Sequence, residues 1–378
     1  MKRIVCLALV LSLMILPCAY AQPLSGDDIG IDAPSAILME KQTGTVLYEK
    51  DADKRLSPAS VTKIMTMLLI VEAIESGKTS LDSIVTASER AASFGGSCVY
   101  LEEGEQMSVS EMLKCIAVVS ANDCAVAMSE FLCGSEEQFV KRMNARAAEL
   151  KMQNTHFTNC TGLFDDSEHY TSARDIAIMS RELIKHDMIK EYTTIWMDSI
   201  RDGEFELTNT NRLVKRYAGC TGLKTGYTSG AMYCLSATAE REGREFIAVV
   251  MHCGSIDSRN ADAAKLLDYA FANFAVYPRT DGQPPVLSVE LGRAKTVRTR
   301  YAGDEYVLSD KGRGEAKYAL TVPERLRAPV REGDSVGVLT VTIDGKKVDE
   351  IDVIAAETVE KLNFFGIFAL LAGSIFAM

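Results

Sequence analysis

The chain has 378 residues, of which 47% are hydrophobic and 25% charged, and this length suits a large domain plus a smaller one. Its formal net charge at pH 7 is −11, and no basic stretch stands out that could neutralise phosphates. Composition and charge therefore argue against a nucleic-acid-binding protein.

The first 21 residues have the pattern of a signal peptide. Two basic residues precede the apolar run 4–16, and an Ala-x-Ala site ends at Ala21, where cleavage is expected. Lipid modification of Cys18 is the alternative, which Pro17 immediately before it disfavours. We therefore expect the chain to be exported.

Eight cysteines follow this segment: Cys98, Cys115, Cys124, Cys133, Cys160, Cys220, Cys234 and Cys253. An even number in an exported protein suggests disulfides, but the pairing cannot be deduced from sequence. The spacings form no metal-ligand cluster, and several of these cysteines lie in apolar helical sequence, where cysteine behaves as a small hydrophobe. We expect mostly free, buried thiols, because a domain of this size needs no disulfides.

The first predicted elements are a β-hairpin and a buried helix. Strands are predicted from Ala36 to Met39 and from Thr45 to Glu49, after a polar lead-in. The stretch 57–63 (Ser-Pro-Ala-Ser-Val-Thr-Lys) then leads into the apolar run 64–73. Because apolar residues fall on nearly every face, the run predicts a helix buried in a core, which ends at Gly77.

The start of this helix contains a candidate nucleophile. Ser57 suits a helix cap and Pro58 the first helical position, which places Ser60 in the first turn. Lys63 follows three residues later, so its amine shares a face with the Ser60 hydroxyl. A buried lysine beside a serine stabilises a core poorly but can activate a nucleophile.

Two apolar helices are predicted at 110–119 and 124–133, separated by the polar break 120–123 (Ser-Ala-Asn-Asp). Polar side chains between two apolar helices predict a turn that directs them at a site. A loop carrying His169 and a helix at 172–184 follow.

Three strands are predicted next, at 222–228, 231–240 and 244–251, and a helix at 261–274 closes this region. Tight turns between neighbouring strands favour antiparallel pairing. Helical sequence between an early hairpin and late strands indicates a sheet built from both ends of the segment. The predicted fold class is therefore α+β: an antiparallel sheet flanked by helices, with an inserted helical subdomain.

A serine nucleophile needs a base, and a lysine fits this sequence better than a histidine. The chain has four histidines but no Gly-x-Ser-x-Gly motif, so a Ser-His-Asp site is unsupported. Burial and a second nearby cation would lower the pKa of a lysine base. Lys224 supplies that cation, in an apolar strand also interrupted by Thr225 and Gly226.

The segment around Lys224 also has features of a substrate-binding strand. Gly226 lacks a side chain where a substrate could approach the backbone closely. Alternation places Lys224 and Gly226 on one face and Thr225 on the other, unless the strand twists. An edge strand here could bind an extended peptide by strand addition, with Lys224 attracting a carboxylate.

The remainder of the chain predicts a small all-β domain at 278–356, after a larger domain at 30–277. Alternating strands are expected at 286–291, 295–299, 318–322, 335–343 and 347–354. The segment 357–378 is apolar and uncharged from Phe364 onward. Because this run is short of the roughly 20 residues of a spanning helix, a buried core helix is the alternative, but its position favours membrane attachment.

The three motifs Ser60-Val61-Thr62-Lys63, Ser120-Ala121-Asn122 and Lys224-Thr225-Gly226 occur in the order found in penicillin-binding proteins. The chain resembles the D-alanyl-D-alanine carboxypeptidases of the S11 serine peptidase family, which are low-molecular-mass penicillin-binding proteins. The resemblance covers nearly the whole chain after residue 21, including the hairpin, Gly96-Ser97, the segment 169–180, the β domain and the tail. In this sequence Cys160 stands where the family often has proline, and the tail lacks the basic residues of many amphipathic anchors.

The resemblance implies a β-lactamase/transpeptidase-like fold and a role for each motif. Ser60 would attack the carbonyl between two terminal D-alanines, with Lys63 accepting its proton, and water would hydrolyse the acyl-enzyme. Ser120 would relay a proton to the leaving D-alanine, while Asn122 orients Lys63 and the acyl amide. Lys224 and Thr225 would bind the carboxylate side of the substrate, helped by Arg259, and Gly226 would also belong to the substrate-binding strand. The N–H groups of Ser60 and Tyr227 would form the oxyanion hole.

The implied partners are the peptidoglycan stem peptide, β-lactams as covalent inhibitors, and the outer face of the cytoplasmic membrane; no cofactor or metal is implied. Arg259 has the alternative of a surface arginine, and we expect His169 and Asp175 to be structural. A serine β-lactamase shares the motifs but needs neither the β domain nor the tail. A silent wall-binding protein would not need the intact cationic pair beside Ser60.

Overall fold

The computed structural model describes residues 24–25, 29–303, 306–309, 314–364 and 366. The predicted signal peptide 1–21 lies outside these residues, as does most of the predicted membrane segment 357–378. The chain divides into two compact units, the larger ending at Leu267 and the smaller containing everything from Asp268 onward, together with the turns 40–45 and 240–245. The boundaries at residues 30, 277 and 356 stay predictions.

The main sheet has six strands, in the spatial order Leu24–Ser25, Val46–Lys50, Ser35–Glu40, Arg244–Cys253, Met232–Arg241 and Cys220–Thr228. The two-residue strand pairs in parallel with its neighbour, whereas the early hairpin and the pair Met232–Arg241 with Cys220–Thr228 are antiparallel. The sheet is thus built from both ends of the segment, as predicted. Cys220–Thr228 lies at its edge.

Helices occupy the long segment between the strands: Lys63–Glu75, Glu89–Ala92, Val109–Val118, Asn122–Cys133, Glu136–Glu149, Ala173–Leu183, Lys190–Thr193 and Leu213–Arg216. Two-stranded antiparallel sheets pair Ile84–Thr86 with Gln106–Ser108 and Met197–Ile200 with Phe205–Thr208. Helix Ile256–Asn273 follows the sheet. Ten of the thirteen residues of Lys63–Glu75 are buried, which confirms the predicted core helix.

The predicted start of the core helix is wrong in detail. Ser57 does not cap it, since Ala59–Thr62 forms a 3₁₀ turn and the α-helix begins only at Lys63. Ala59 has φ = +47°, a left-handed conformation that an α-helix cannot contain. The backbone reverses at this alanine, and Ser60 lies in the tighter turn.

The predicted polar break at 120–123 is shorter than expected. The second of its flanking helices begins at Asn122, so Asn122 and Asp123 occupy its first turn. Asp123 accepts hydrogen bonds from the backbone N–H groups of Val99 and Leu101, and a carboxylate is favourable at the positive end of a helix. Ser120 has φ = +65°, so the chain turns at this single residue.

The helix predicted at 261–274 begins five residues earlier, at Ile256. Its first turns are polar and carry no apolar periodicity, because some of these residues line a cavity rather than a core. All eight described cysteines are free thiols, as expected, and five of them are buried.

The smaller unit contains a six-stranded sheet in the order Ala316–Thr321, Ser335–Ile343, Lys346–Ala355, Thr296–Tyr301, Val286–Glu290 and Arg325–Arg327. Ala275–Pro278 pairs separately with Tyr306–Ser309. The strands 306–309 and 325–327 were not predicted, since each is short and neither alternates clearly between apolar and polar residues. Within the described ranges, none of the helices has the length and apolar character required to cross a bilayer.

Candidate active site

Lys63 and Ser60 form a direct hydrogen-bonded pair. The Lys63 amine is 3.0 Å from Ser60 Oγ, 2.6 Å from Asn122 Oδ1 and 2.9 Å from the carbonyl oxygen of Thr161. The lysine side chain is completely buried. The spacing of three residues brings base and hydroxyl together even though the turn is 3₁₀ rather than α, because residues i and i+3 are eclipsed in a 3₁₀ turn.

Burial lowers the pKa of Lys63 to about 7, since the charged amine loses its hydration. Lys224 was predicted to lower the pKa of Lys63, but the lowered pKa that involves this pair of charges is that of Lys224 itself. Burial is the main cause that lowers the pKa of Lys224 well below its usual value, and the nearby charges of Lys63 and Arg259 lower it further. At neutral pH a substantial fraction of Lys63 is therefore an uncharged amine that can accept a proton.

Asn122 is held from two sides. Its side-chain nitrogen donates to the carbonyl of Gly95 at 2.8 Å, and its backbone N–H donates to the carbonyl of Ser97 at 2.7 Å. These contacts aim the amide oxygen at Lys63. Ser120 is 4% exposed, and its hydroxyl has no hydrogen-bond partner among the residues that the structure describes.

The edge strand brings its three predicted residues to the site. Lys224 is buried and donates to the carbonyl of Thr225, while the Thr225 hydroxyl contacts that of Thr210 at 2.8 Å. Both Thr225 and Gly226 line the cavity beside Ser60, whereas Lys224 lies behind its wall.

Gly226 lines the cavity, and the turn that carries Ser60 occupies the space that a side chain at this position would need. A Cβ atom at this position would lie 2.6 Å from the carbonyl oxygen of Pro58 and 3.1 Å from the backbone nitrogen of Val61. The missing side chain therefore lets the turn that carries Ser60 pack directly against the edge strand.

A cavity of about 590 Å³ opens at Ser60. Ser120, Thr225, Gly226, Tyr227 and Arg259 also line it. Lys63 contacts Ser60 and Asn122 contacts Lys63, but neither is part of the described lining. Arg259 is 4% exposed, so the alternative of a surface arginine is wrong. Residues that sequence reasoning missed complete the lining: Ser97, Trp196, Thr208, Asn209, Thr210, Arg212, Tyr233 and Ile256.

Part of this missed set had a detectable signal, namely the polar run 208–211 (Thr-Asn-Thr-Asn) shortly before the edge strand. The described lining contains two arginines and no acidic residue, although the chain as a whole is acidic. The cavity is therefore suited to a ligand with an anionic group.

His169 and Asp175 lie in the loop and helix beside this site. The His169 ring contacts the Thr62 hydroxyl through Nε2 at 2.8 Å and accepts the Thr158 backbone N–H at Nδ1. Asp175 accepts from the N–H of Asn154 and the hydroxyl of Thr155. Burial lowers the pKa of His169 to about 4, so the ring is neutral at neutral pH.

A serine paired with a buried lysine, set against an edge strand beside a cavity lined by two arginines, defines a serine-type hydrolase of the acyl-enzyme class. The described residues thus combine a mixed helix and sheet fold with a site for nucleophilic catalysis. Comparison with known proteins identifies the family.

The D-alanyl-D-alanine carboxypeptidase family model matches residues 21–255, and the model of the penicillin-binding protein 5 C-terminal domain matches residues 282–361. D-alanyl-D-alanine carboxypeptidase DacF of Bacillus subtilis (strain 168) is 42% identical over 376 residues, covering 96% of each chain. DacA of Escherichia coli (strain K12) is 33% identical over 351 residues, covering 89% of this chain and 86% of its own.

Among solved structures, penicillin-binding protein 5 from Haemophilus influenzae matches with a TM-score of 0.76 and 29% identity, covering 88% of this chain and 98% of its own. The chain belongs to the D-alanyl-D-alanine carboxypeptidase family of low-molecular-mass penicillin-binding proteins.

Proposed function

We propose that this protein is a penicillin-sensitive serine carboxypeptidase that removes the terminal D-alanine from peptidoglycan stem pentapeptides through an acyl-enzyme on Ser60. One observation carries the proposal: the buried Lys63 amine, with its pKa near 7, lies 3.0 Å from the Ser60 hydroxyl. A base in that position and protonation state can deprotonate the serine as it attacks.

In acylation, the Ser60 oxygen attacks the carbonyl carbon between the two D-alanines while its proton passes to Lys63. The N–H groups of Ser60 and Tyr227 stabilise the oxyanion that forms. The C–N bond then breaks, and the leaving amine takes up a proton relayed through Ser120. The buried Ser120 hydroxyl supports this role, because its hydrogen-bonding capacity is unused among the described residues.

Lys224, Thr225 and Arg259 form the group that recognises the terminal carboxylate. Arg259 and Thr225 line the cavity, and Lys224 contributes positive potential from behind the wall when protonated. The edge position of Cys220–Thr228 supports binding of an extended peptide along this strand, with Asn122 beside the acyl amide. Water finally hydrolyses the ester and frees Ser60.

The direct test is release of D-alanine from a synthetic pentapeptide ending in D-Ala-D-Ala, with Ser60→Ala as control. We expect the wild type to release one D-alanine for each pentapeptide consumed, and the variant to release none above background. Fluorescent penicillin is the second probe. Stable labelling without D-alanine release would favour a wall-binding or sensor protein, and rapid turnover of penicillin would favour a serine β-lactamase.

We also propose that residues 1–21 direct export and that 357–378 attach the protein to the outer face of the cytoplasmic membrane, with the catalytic domain at 30–277 and the β domain at 278–356. The apolar, uncharged sequence after Asn363 supports attachment. Deletion of 357–378 should move the protein from the membrane fraction to the soluble fraction. Retention of the deleted form in the membrane fraction would contradict this part of the proposal.

A further inference from the structure

His169 is buried at 1% exposure and does not line the cavity, yet both of its ring nitrogens are engaged. Nδ1 lies 3.0 Å from the backbone nitrogen of Thr158, and Nε2 lies 2.8 Å from the hydroxyl oxygen of Thr62. Thr62 belongs to the same turn as Ser60. The ring therefore connects the loop before helix Ala173–Leu183 to the nucleophile's turn.

The direction of each hydrogen bond in this connection is determined. A backbone N–H can only donate, so Nδ1 of His169 must accept from Thr158 and carries no hydrogen. The neutral ring then carries its hydrogen on Nε2 and donates it to Thr62 Oγ1. That leaves the Thr62 hydroxyl free to donate to the carbonyl oxygen of Ala59, which is 2.8 Å away.

The Ala59 carbonyl is fixed by a second contact as well. A Cβ atom on Gly162 would lie 1.9 Å from this oxygen, so only glycine allows the loop backbone to pass beside it. Ala59 itself has a left-handed φ of +47°, which an alanine keeps only when its surroundings enforce it. The hydrogen bond and the close packing together hold this carbonyl in one orientation.

The carbonyl of Ala59 and the N–H of Ser60 belong to one planar trans peptide group and point in opposite directions. Fixing the carbonyl therefore fixes the N–H. We propose that His169 is a positioning residue, which acts through Thr62 and the Ala59–Ser60 peptide to aim the Ser60 N–H at the reacting carbonyl. This inference rests on the proposed function, in which that N–H is an oxyanion-hole donor.

Two substitutions of His169 distinguish the roles of its two ring nitrogens. His169→Gln keeps a side-chain N–H near the position of Nε2, whereas His169→Asn keeps only an acceptor near the position of Nδ1. Thr62→Val removes the relaying hydroxyl with little change in shape, and Thr62→Ser retains it. His156→Asn is the control, because this histidine lies in the same loop region but is exposed, and its ring contacts the Glu168 carbonyl and the Tyr170 ring rather than the turn of Ser60.

The first readout is the rate constant for acylation by penicillin, measured per active site by titration so that misfolded molecules do not count. Loss of one oxyanion-hole donor costs about 100- to 1,000-fold, so we expect a misdirected donor to cost about 10- to 100-fold in H169N and T62V. H169Q and T62S should keep most of the rate, and H156N should match the wild type. The double variant H169N/T62V should be no slower than either single one, because both break the same connection.

The second readout is the infrared carbonyl stretch of the penicilloyl-enzyme, which falls when the oxyanion hole donates strongly to it. The band should move to higher frequency in H169N and T62V but stay in place in H169Q. Equal acylation rates and an unmoved band in all variants would overturn the inference, as would a loss in H169Q equal to that in H169N. If H169N does not fold, T62V and T62S decide alone. Failure of the wild type to release D-alanine would instead refute the proposed function.

Discussion

The side-chain oxygen of Asn122 lies 2.6 Å from the Lys63 amine, closer than the 3.0 Å between that amine and Ser60 Oγ. The neutral amine has two hydrogens and one lone pair. Asn122 and the carbonyl of Thr161 accept the two hydrogens, which leaves the lone pair for the Ser60 hydroxyl. The asparagine therefore orients the base.

This arrangement predicts the pH dependence of acylation. Because only the neutral amine accepts a proton, the acylation rate should rise with pH through about 7, the pKa of Lys63. Asn122→Asp places a carboxylate beside the amine, stabilises its charged form and should move this rise upward by about one pH unit or more. Stopped-flow acylation by penicillin from pH 5 to 10 measures both profiles. If the pH profile of N122D matched that of the wild type, residue 122 would not influence the pKa of Lys63.

The contact between Gly226 and Pro58 predicts the effect of adding one methyl group. In Gly226→Ala the new Cβ would overlap the Pro58 carbonyl, so the turn carrying Ser60 must move away from the edge strand. Overpacking of this kind costs about 1–3 kcal/mol in the free energy of unfolding, and acylation should slow as well.

Gly254→Ala is the matched control, since a Cβ there meets nothing within 4 Å. Urea unfolding and penicillin acylation of both variants check the prediction. Equal stability and equal rates in the two variants would show that the turn tolerates the displacement.

Arg259 should determine affinity for the terminal carboxylate. A hydrogen bond to a charged group contributes about 1.5–3 kcal/mol, so Arg259→Ala should raise KM for a D-Ala-D-Ala peptide by about 10-fold or more, with a smaller effect on kcat. The exposed Arg216 lies outside the cavity lining, and Arg216→Ala serves as control. A C-terminally amidated peptide should be a poor substrate for the wild type and lose little more in R259A. An equal loss for both peptides would contradict carboxylate recognition.

His169 should make the folded protein sensitive to mild acid. Its pKa is lowered from 6.5 to about 4, so between these values the unfolded chain binds a proton that the folded chain does not. Stability is therefore complete above about pH 6.5 and is lost as the pH falls toward 4, by up to about 3 kcal/mol.

His169→Gln removes this titration while leaving the other groups in place. Between pH 7 and pH 4.5, the free energy of unfolding of H169Q should fall less than that of the wild type. Urea titrations at the two pH values measure the difference. Parallel losses in both proteins would mean that His169 is not the group responsible.

Local spacing was sufficient to predict the Ser60–Lys63 pair, because residues three apart share a face in both kinds of helix. The exact turn was not predictable, since it depends on a left-handed Ala59, and alanine carries no signal for that conformation. The same holds for Ser120. In both cases tertiary packing overrides local preference.

The wall of the cavity shows where sequence reasoning reaches its limit. Trp196, Arg212 and Tyr233 come from separate segments without a shared motif, and only the fold brings them together. Gly226 was predicted as part of the site, but its packing against Pro58 was not, because that contact joins distant parts of the chain. Spacing within a segment is readable from sequence, whereas contacts between segments depend on the assembled sheet and helices.

Peptide mapping of the penicillin adduct is the most direct measurement of the central claim, that Ser60 is the nucleophile activated by Lys63. The purified protein is acylated with penicillin at neutral pH, digested and analysed by mass spectrometry. The adduct should lie on Ser60, and none should form in Ser60→Ala. An adduct on any other residue, or undiminished labelling of S60A, would contradict the assignment of the nucleophile.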